Sequence, residues 1–165
     1  MEFISRSSLS ESEKLEIFEL WNNEYPEKLT YKSKKEFDEY LKNLTEQSHI
    51  LLFDIDKKIK GWYFDFKRDN EKWFAIILDS KIHRKGFGTK LLELAKQKEF
   101  ELNGWVIDHD RDRKRNGDFY NSPLKFYLKN GFKKLITDRL ESDKISAIKI
   151  RWKRNNFINV HAAEI

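Results

Sequence analysis

The residues best equipped for chemistry lie in one run, Leu78-Asp79-Ser80-Lys81-Ile82-His83-Arg84-Lys85-Gly86-Phe87-Gly88-Thr89-Lys90-Leu91-Leu92. An apolar strand enters a basic turn with two glycines, and a helical pattern follows. Such a turn aims backbone N–H groups at one point. Glycines without a Cβ let an anion approach the main chain, and the helix N-terminus adds unpaired donors and the positive end of its dipole. The chemistry this suits is phosphate binding. It is not a Walker loop, because the four residues that should separate the first glycine from a Gly-Lys pair are absent, nor a dinucleotide fingerprint, because Leu91 stands where the third glycine belongs. Read alone, the glycine pair serves a tight turn equally well.

A second run, Asn121-Ser122-Pro123-Leu124-Lys125-Phe126-Tyr127-Leu128-Lys129-Asn130-Gly131-Phe132, places a phenol on a short helix with proline in its first turn and glycine at its end. Two basic clusters, Arg111-Asp112-Arg113-Lys114-Arg115 and Lys149-Ile150-Arg151-Trp152-Lys153-Arg154, are what a nucleic-acid module would use. The first is interleaved with Asp108, Asp110, Asp112 and Asp118, and the second alternates as one exposed strand face, so nucleic acid is not expected as the main partner. His49, His83, His109 and His161 show no ligand spacing, and no metal is expected. The chain has no cysteine, which excludes disulfides, thiolate metal sites and a cysteine nucleophile.

These groups need a scaffold that brings them together. Residues 3–6 read as a short strand, and two capping boxes, Ser10-Glu11-Ser12-Glu13 and Ser33-Lys34-Lys35-Glu36, start two helices. The first is expected to bury Leu15, Phe18 and Trp21 and to end before Pro26; the second, Phe37, Tyr40, Leu41 and Leu44. An aromatic connector, residues 25–31, lies between them. Strands over 49–55, 59–67 and 72–78, with turns at Asp56-Lys57-Lys58 and Arg68-Asp69-Asn70, predict an antiparallel meander. Trp62, Phe64 and Phe66 face one way and Tyr63 and Asp65 the other, whereas residues 73–78 are apolar on both faces and belong at the centre. A helix over 86–102 carries Phe87, Leu91, Leu94, Ala95 and Leu102 inward, with Asn103-Gly104 as its C-cap. A strand at 105–108, a polar loop at 109–121, the Tyr127 helix and strands at 132–135 and 145–152 complete the pattern. The reading is one α+β domain over residues 1–154 and a C-terminal tail over 155–165.

Composition agrees with one domain: of 165 residues, 39% are apolar and 37% charged, and 13 Phe, 6 Tyr and 5 Trp supply large buried area. The longest apolar run, residues 73–78, is far short of the roughly 20 residues of a membrane span. The first residues lack the basic and apolar regions of a secretory signal, so a cytoplasmic protein with no membrane partner is expected. Charge is uneven. Residues 1–50 hold 7 Lys/Arg against 11 Asp/Glu, net −4, leaving +9 of the total +5 for the rest, which points to an anionic ligand there.

With both runs in view, the chain resembles the GNAT superfamily of N-acetyltransferases. The acetyl-CoA loop of that family follows Arg/Gln-x-x-Gly-x-Gly/Ala at the end of a central strand, which falls here on His83-Arg84-Lys85-Gly86-Phe87-Gly88. Both glycines match; His83 departs from Arg or Gln, and Arg84 is placed to stand in. The family's Asn ahead of a helix ending Phe-Tyr-x-x-x-Gly-Phe falls on Asn121 and on Phe126-Tyr127 to Gly131-Phe132. The resemblance covers residues 3–153 and implies a mixed, mostly antiparallel sheet of six to seven strands flanked by about four helices.

It also implies an activity: transfer of acetyl from acetyl-CoA to a primary amine of a small molecule or peptide by direct attack. Tyr127 would be the general acid beside the sulfur, and a backbone N–H near Leu78 would polarise the thioester carbonyl. Residues His83, Arg84, Lys85, Gly86, Phe87, Gly88 and Thr89 would hold the pyrophosphate, with Lys90 adding charge, and Asn121 would bond the pantetheine arm or a strand carbonyl. For the base, Asp65, Glu71, Asp79 and Asp108 qualify; Asp108 with His109 is preferred, since histidine titrates near neutral pH and strand ends line the cleft. The acceptor walls would be Trp21, Tyr25 and Tyr31, with Glu27 beside them. A catalytically degenerate CoA-binding protein and a nucleic-acid module are the alternatives, and a monomer or homodimer is expected.

Overall fold

The computed structural model describes residues 1–155. The chain runs β1 (Glu2–Arg6), α1 (Glu11–Glu24), α2 (Lys34–Lys42), β2 (Thr45–Phe53), β3 (Ile59–Arg68), β4 (Glu71–Leu78), α3 (Phe87–Lys98), β5 (Glu101–Ile107), α4 (Leu124–Lys129), β6 (Lys133–Glu141) and β7 (Ser146–Lys153). Both expected caps form: the Glu13 N–H donates to Ser10 Oγ at 3.1 Å and the Glu36 N–H to Ser33 Oγ at 3.2 Å, each removing an orphan donor of a first turn. Neither glutamate closes its box, because Glu13 pairs with Arg6 and Glu36 accepts from the Lys32 N–H. Between β3 and β4, Asp69 and Asn70 both take positive φ (53° and 61°), the twisted two-residue turn that a tight hairpin needs.

The strands form one sheet in the order β1-β2-β3-β4-β5-β7-β6, antiparallel except where β4 meets β5. The α+β architecture expected from the sequence is the one observed, with β4 at its centre. One face carries α1 and α2 over Leu51, Trp62, Phe64 and Ile77; the other carries α3 and α4 over Tyr63, Phe74, Val106 and Ile150. The alternation seen in residues 62–66 therefore separates two cores.

Two details differ from the sequence reading. Leu15 is half exposed, and α1 instead buries Ile17, Leu20, Trp21 and Asn22. Asn22 is inside because its amide pairs with the Tyr31 main chain in both directions, at 2.9 Å each, and so fixes the connector. The α3 helix stops at Lys98, and Leu102, Asn103 and Gly104 belong to β5. Gly104 is no cap: the Phe74 ring lies 3.0 Å from where its Cβ would be, so the strand needs glycine for close approach. The last carbonyls of α3 are satisfied from far along the chain, by Arg154, which donates to Lys96, Gln97 and Glu99 oxygens at 2.8–3.1 Å. The expected tail, apart from Asn155, lies outside the described residues.

His49 shows how tightly the α1/α2 core is specified. It is 1% exposed, stacks on Trp62, accepts the Trp62 indole N–H on Nδ1 at 3.0 Å and bonds Gln47 through Nε2 at 2.9 Å. Burial pushes its imidazole down from 6.5 to about 4. The unfolded chain therefore takes up a proton near pH 6.5 and the folded chain only near 4, so stability present above pH 6.5 falls away across that window. Urea unfolding is expected to show a loss on the order of 2–3 kcal/mol between pH 7 and pH 4.5 from this group, and a flatter profile in His49→Gln.

Candidate functional site

The parallel neighbours β4 and β5 pair at one position only, Trp73 with Asn103. Beyond it Phe74–Leu78 and Gly104–Ile107 run on without pairing each other, so the sheet opens into a wedge toward the strands' C-terminal ends. At about 3.3 Å per residue, the wedge is on the order of 15 Å long. On the β3 side, the Asp79 N–H donates to the Lys60 carbonyl at 2.9 Å. Alternation along the strand then turns the N–H and C=O of Leu78 toward the wedge.

The basic turn closes the end of β4. Asp79 accepts the Lys81 N–H at 2.9 Å and starts a single 3-10 turn over Ser80–Ile82. Arg84 and Gly86 then take left-handed backbone conformations (φ 62° and 85°), and α3 begins with no side-chain cap. The first bond back into the helix is from the Lys90 N–H to the Gly86 carbonyl. Among the described residues, no protein acceptor takes the N–H groups of residues 84–89. Unpaired donors at a helix N-terminus are the chemistry an anion can use. The two glycines serve different ends. Gly86 supplies the left-handed conformation with open space around it, whereas a Cβ on Gly88 would meet the Phe126 ring at 2.9 Å, so Gly88 seats α3 on α4.

On α4, the Tyr127 ring is buried against Phe74, Phe126 and Phe132 at centroid distances of 5.1–5.7 Å. Its hydroxyl bonds no group among the described residues. Burial, then the neighbouring Tyr25, push its ionisation far above the ordinary phenol range. Tyr127 belongs to the α3/α4 core and Tyr25 packs against the α1/α2 core, and the two phenols are within electrostatic reach of each other across the sheet. Tyr120 joins them: its ring lies 6.1 Å from Tyr25, and its ionisation is raised by burial, then by Tyr127 and Asp112. The sequence reading passed over Tyr120 and took Asp112 only as an acid interleaved in the basic cluster, since both stand in a loop with no periodicity. Only the packing of that loop on the connector, through a Glu27 N–H to Arg113 carbonyl bond of 2.8 Å and a Pro26–Lys114 bridge, reveals them.

Several expected roles change. His83 Nε2 bonds the Leu78 carbonyl at 3.0 Å and so braces the turn. Asn121 is exposed and bonds no group among the described residues, whereas Ser122 Oγ donates to the Ile107 carbonyl at 2.6 Å and accepts the Leu124 N–H, tying α4 to the end of β5. Asp108 and His109 do not act as a pair. Arg139 holds both Asp108 oxygens at 2.9 and 3.0 Å and keeps that carboxyl below its usual range, which makes it a poor base. His109 Nδ1 accepts the Arg111 N–H at 3.1 Å, leaving the neutral ring's proton on Nε2 and no free lone pair. The other candidate bases are engaged too: Asp65 by Ser48 and Tyr63, Glu71 by Lys149 and Arg151, Asp79 by its turn. Trp21 is core rather than a wall, since it packs on Tyr31, Phe37 and Tyr40 and donates its indole N–H to the Leu29 carbonyl at 3.0 Å. Tyr31 and Tyr25 are partly buried against it, and Tyr25 also lies 6.1 Å from the Tyr120 ring.

The basic clusters are absorbed by structure. Lys149 is 8% exposed and sits on Glu71 at 3.0 Å, while Arg151 bonds Glu71, Glu101 and Asn103, so the second cluster is not the exposed face its alternation suggested. In the first, Lys114 pairs with Glu24, Arg115 with Glu19, and Arg113 lies over Phe119. Among the described residues no group of three His, Asp or Glu could hold a metal, and no helix is long and apolar enough to cross a membrane. Two surface cavities, of about 480 and 270 Å³, lie at the opposite end of β4 from Leu78.

The different duties of the two glycines are testable by urea unfolding. Gly88→Ala is expected to cost about 1–3 kcal/mol by overpacking against Phe126, and Gly86→Ala about 1–2 kcal/mol by backbone strain alone.

No protein-family model and no curated protein matches this sequence. Solved structures do match in shape. An aminoglycoside 6′-N-acetyltransferase complexed with coenzyme A is 16% identical, with 93% of this chain and 97% of that one aligned at a TM-score of 0.67. A variant of the spermidine N-acetyltransferase of Vibrio cholerae is 16% identical over 98% and 99% of the chains, with a TM-score of 0.64. A GNAT superfamily phosphinothricin acetyltransferase from Sinorhizobium meliloti, in complex with AcCoA, is 13% identical over 94% and 90%, with a TM-score of 0.63. With its wedge, its unpaired turn and its order of strands, this chain has the fold of the GNAT superfamily N-acetyltransferases.

Proposed function

We propose that the protein is an acetyl-CoA-dependent N-acetyltransferase acting on a small-molecule amine. The observation that carries this reading is the row of unpaired N–H groups from residue 84 to residue 89, set at the open end of β4. These donors would hold the pyrophosphate, with Arg84, Lys85 and Lys90 adding positive charge. The fit is chemical: six backbone donors without a protein acceptor suit phosphate oxygens, and the wedge beyond them has unpaired strand edges that an extended amide arm can bond. Acetyl-CoA supplies an activated acyl group as a thioester.

Within the wedge the Leu78 N–H is placed to stabilise an oxyanion, and Tyr127 to donate a proton to a departing thiolate. Its raised ionisation keeps the phenol protonated throughout the working pH range, so the proton is present when it is required. The acceptor would enter from the opposite layer, past Tyr25 and Tyr120, to reach the same end of the gap. Since each carboxylate first considered as a base has a structural partner, the amine would arrive neutral from solution rather than be deprotonated by one of them.

Calorimetric titration is expected to show micromolar binding of acetyl-CoA, with ATP and a short DNA duplex binding weakly. Tyr127→Phe keeps the ring packing and removes only the hydroxyl; it is expected to lower kcat for thiol release about 100-fold with little change in acetyl-CoA affinity. Salt-sensitive DNA binding without acetyl-CoA binding would overturn the proposal. Acetyl-CoA binding with no turnover on any amine would instead mark a degenerate CoA-binding protein.

A further inference from the structure

Among the described residues three carboxylates have a sealed oxygen with no hydrogen-bond partner, Glu13, Asp38 and Asp112, and Asp112 is the most deeply buried of them. Asp112 is 6% exposed; its Oδ1 meets Lys28 Nζ at 3.0 Å, while its Oδ2 is sealed from solvent and has no hydrogen-bond partner. His109 Nε2 lies 3.9 Å from Oδ2, beyond bonding range. A buried charged oxygen without a donor is costly, and a native fold tolerates it mainly where something else completes it. Its setting is the acceptor side of the site. The Tyr120 N–H donates to the Asp112 carbonyl at 2.9 Å and the Tyr120 ring lies 6.1 Å from that of Tyr25, so the carboxylate stands in the loop that packs beside this pair of phenols.

The partner it has is poorly matched. Lys28 is 53% exposed and rises from a single 3-10 turn, Glu27–Leu29, whose first residue is tied to the Arg113 carbonyl at 2.8 Å. From that anchored backbone its ammonium meets one oxygen only. A free ammonium has three donors and no tether, and it could bond both. Exchanging one ammonium for another leaves the buried carboxylate paired before and after, and an exposed lysine loses little by swinging into water.

We propose that Asp112 anchors a non-reacting ammonium of the acceptor, and that Lys28 occupies this place until the acceptor displaces it. The anchored nitrogen cannot be the one acetylated, because an amine must be neutral to attack. The acceptor class is therefore an amine with a second, cationic nitrogen. Tyr25 and Tyr120, with rings 6.1 Å apart, supply the aromatic walls that such a cation favours. This inference rests on the acetyltransferase reading and specifies its acceptor.

The test is calorimetric binding of 1,4-diaminobutane and of butylamine to the full chain saturated with CoA. Wild type, Asp112→Asn and Lys28→Met are compared, and folding is checked by thermal melting. Diaminobutane is expected to bind wild type, at least 10-fold more weakly to Asp112→Asn and about 5-fold more tightly to Lys28→Met, while butylamine distinguishes none of them. Lys28→Met leaves the buried residue in place and decides the matter should Asp112→Asn fail to fold. Diaminobutane binding that is absent, unchanged or weakened in Lys28→Met overturns the proposal, and with CoA binding intact that failure leaves the acetyltransferase reading standing. Loss of CoA binding itself would count against both.

Discussion

Two parallel strands that touch at a single residue pair set the terms for the rest of this molecule. A parallel step cannot be closed by a hairpin, so the chain leaving β4 must cross over the sheet before it can enter β5, and the crossover is α3. That requirement puts a helix N-terminus at the open end of β4. Because β4 and β5 then part, their facing edges are left without a ladder, and the two cores on opposite faces of the sheet come within electrostatic reach of each other at Tyr25 and Tyr127. The anion turn, the unpaired strand edge and the contact between layers are three consequences of one topological step.

The electrostatics follow from how many charges the fold consumes. More than a third of the residues are charged, yet the clusters that look most like a polyanion surface are engaged internally: Lys149 and Arg151 on Glu71, Arg154 on the end of α3, Lys114 and Arg115 on α1. Other cations, among them Lys81, Arg84, Lys85 and Arg111, stay exposed to water. The backbone donors of residues 84–89 differ from these in being fixed N–H groups rather than mobile side chains. Donors held by the main chain lose no side-chain entropy on meeting a ligand.

Much of the scaffold was readable because local chemistry and tertiary environment agree. Ser10 and Ser33 cap helices, Asp69-Asn70 makes a hairpin, and residues 62–66 and 73–78 sort strands into half-buried and central. The reading failed where a residue has two physical uses. Gly104 looked like a helix stop and is a strand glycine under Phe74; His83 looked like a phosphate contact and is a brace for Leu78; Trp21 looked like a pocket wall and is core. Asp108-His109 failed for a different reason. Its partners, Arg139 and the Arg111 N–H, are a strand away and a loop turn away, and nothing in the local pattern announces them.

By itself the sequence determined what short-range physics dictates: the caps, the turns, the strand alternation and the glycine turn followed by a helix, since each depends on residues a few positions apart. The tertiary structure alone decided which side chains are spent. Whether a carboxylate is a base or half of an ion pair depends on groups 31 residues away for Asp108 and 84 residues away for Asp112, where Lys28 arrives from another layer. A titratable group takes its protonation and its reach from the charges and the water around it, and those are fixed only when distant segments are packed side by side.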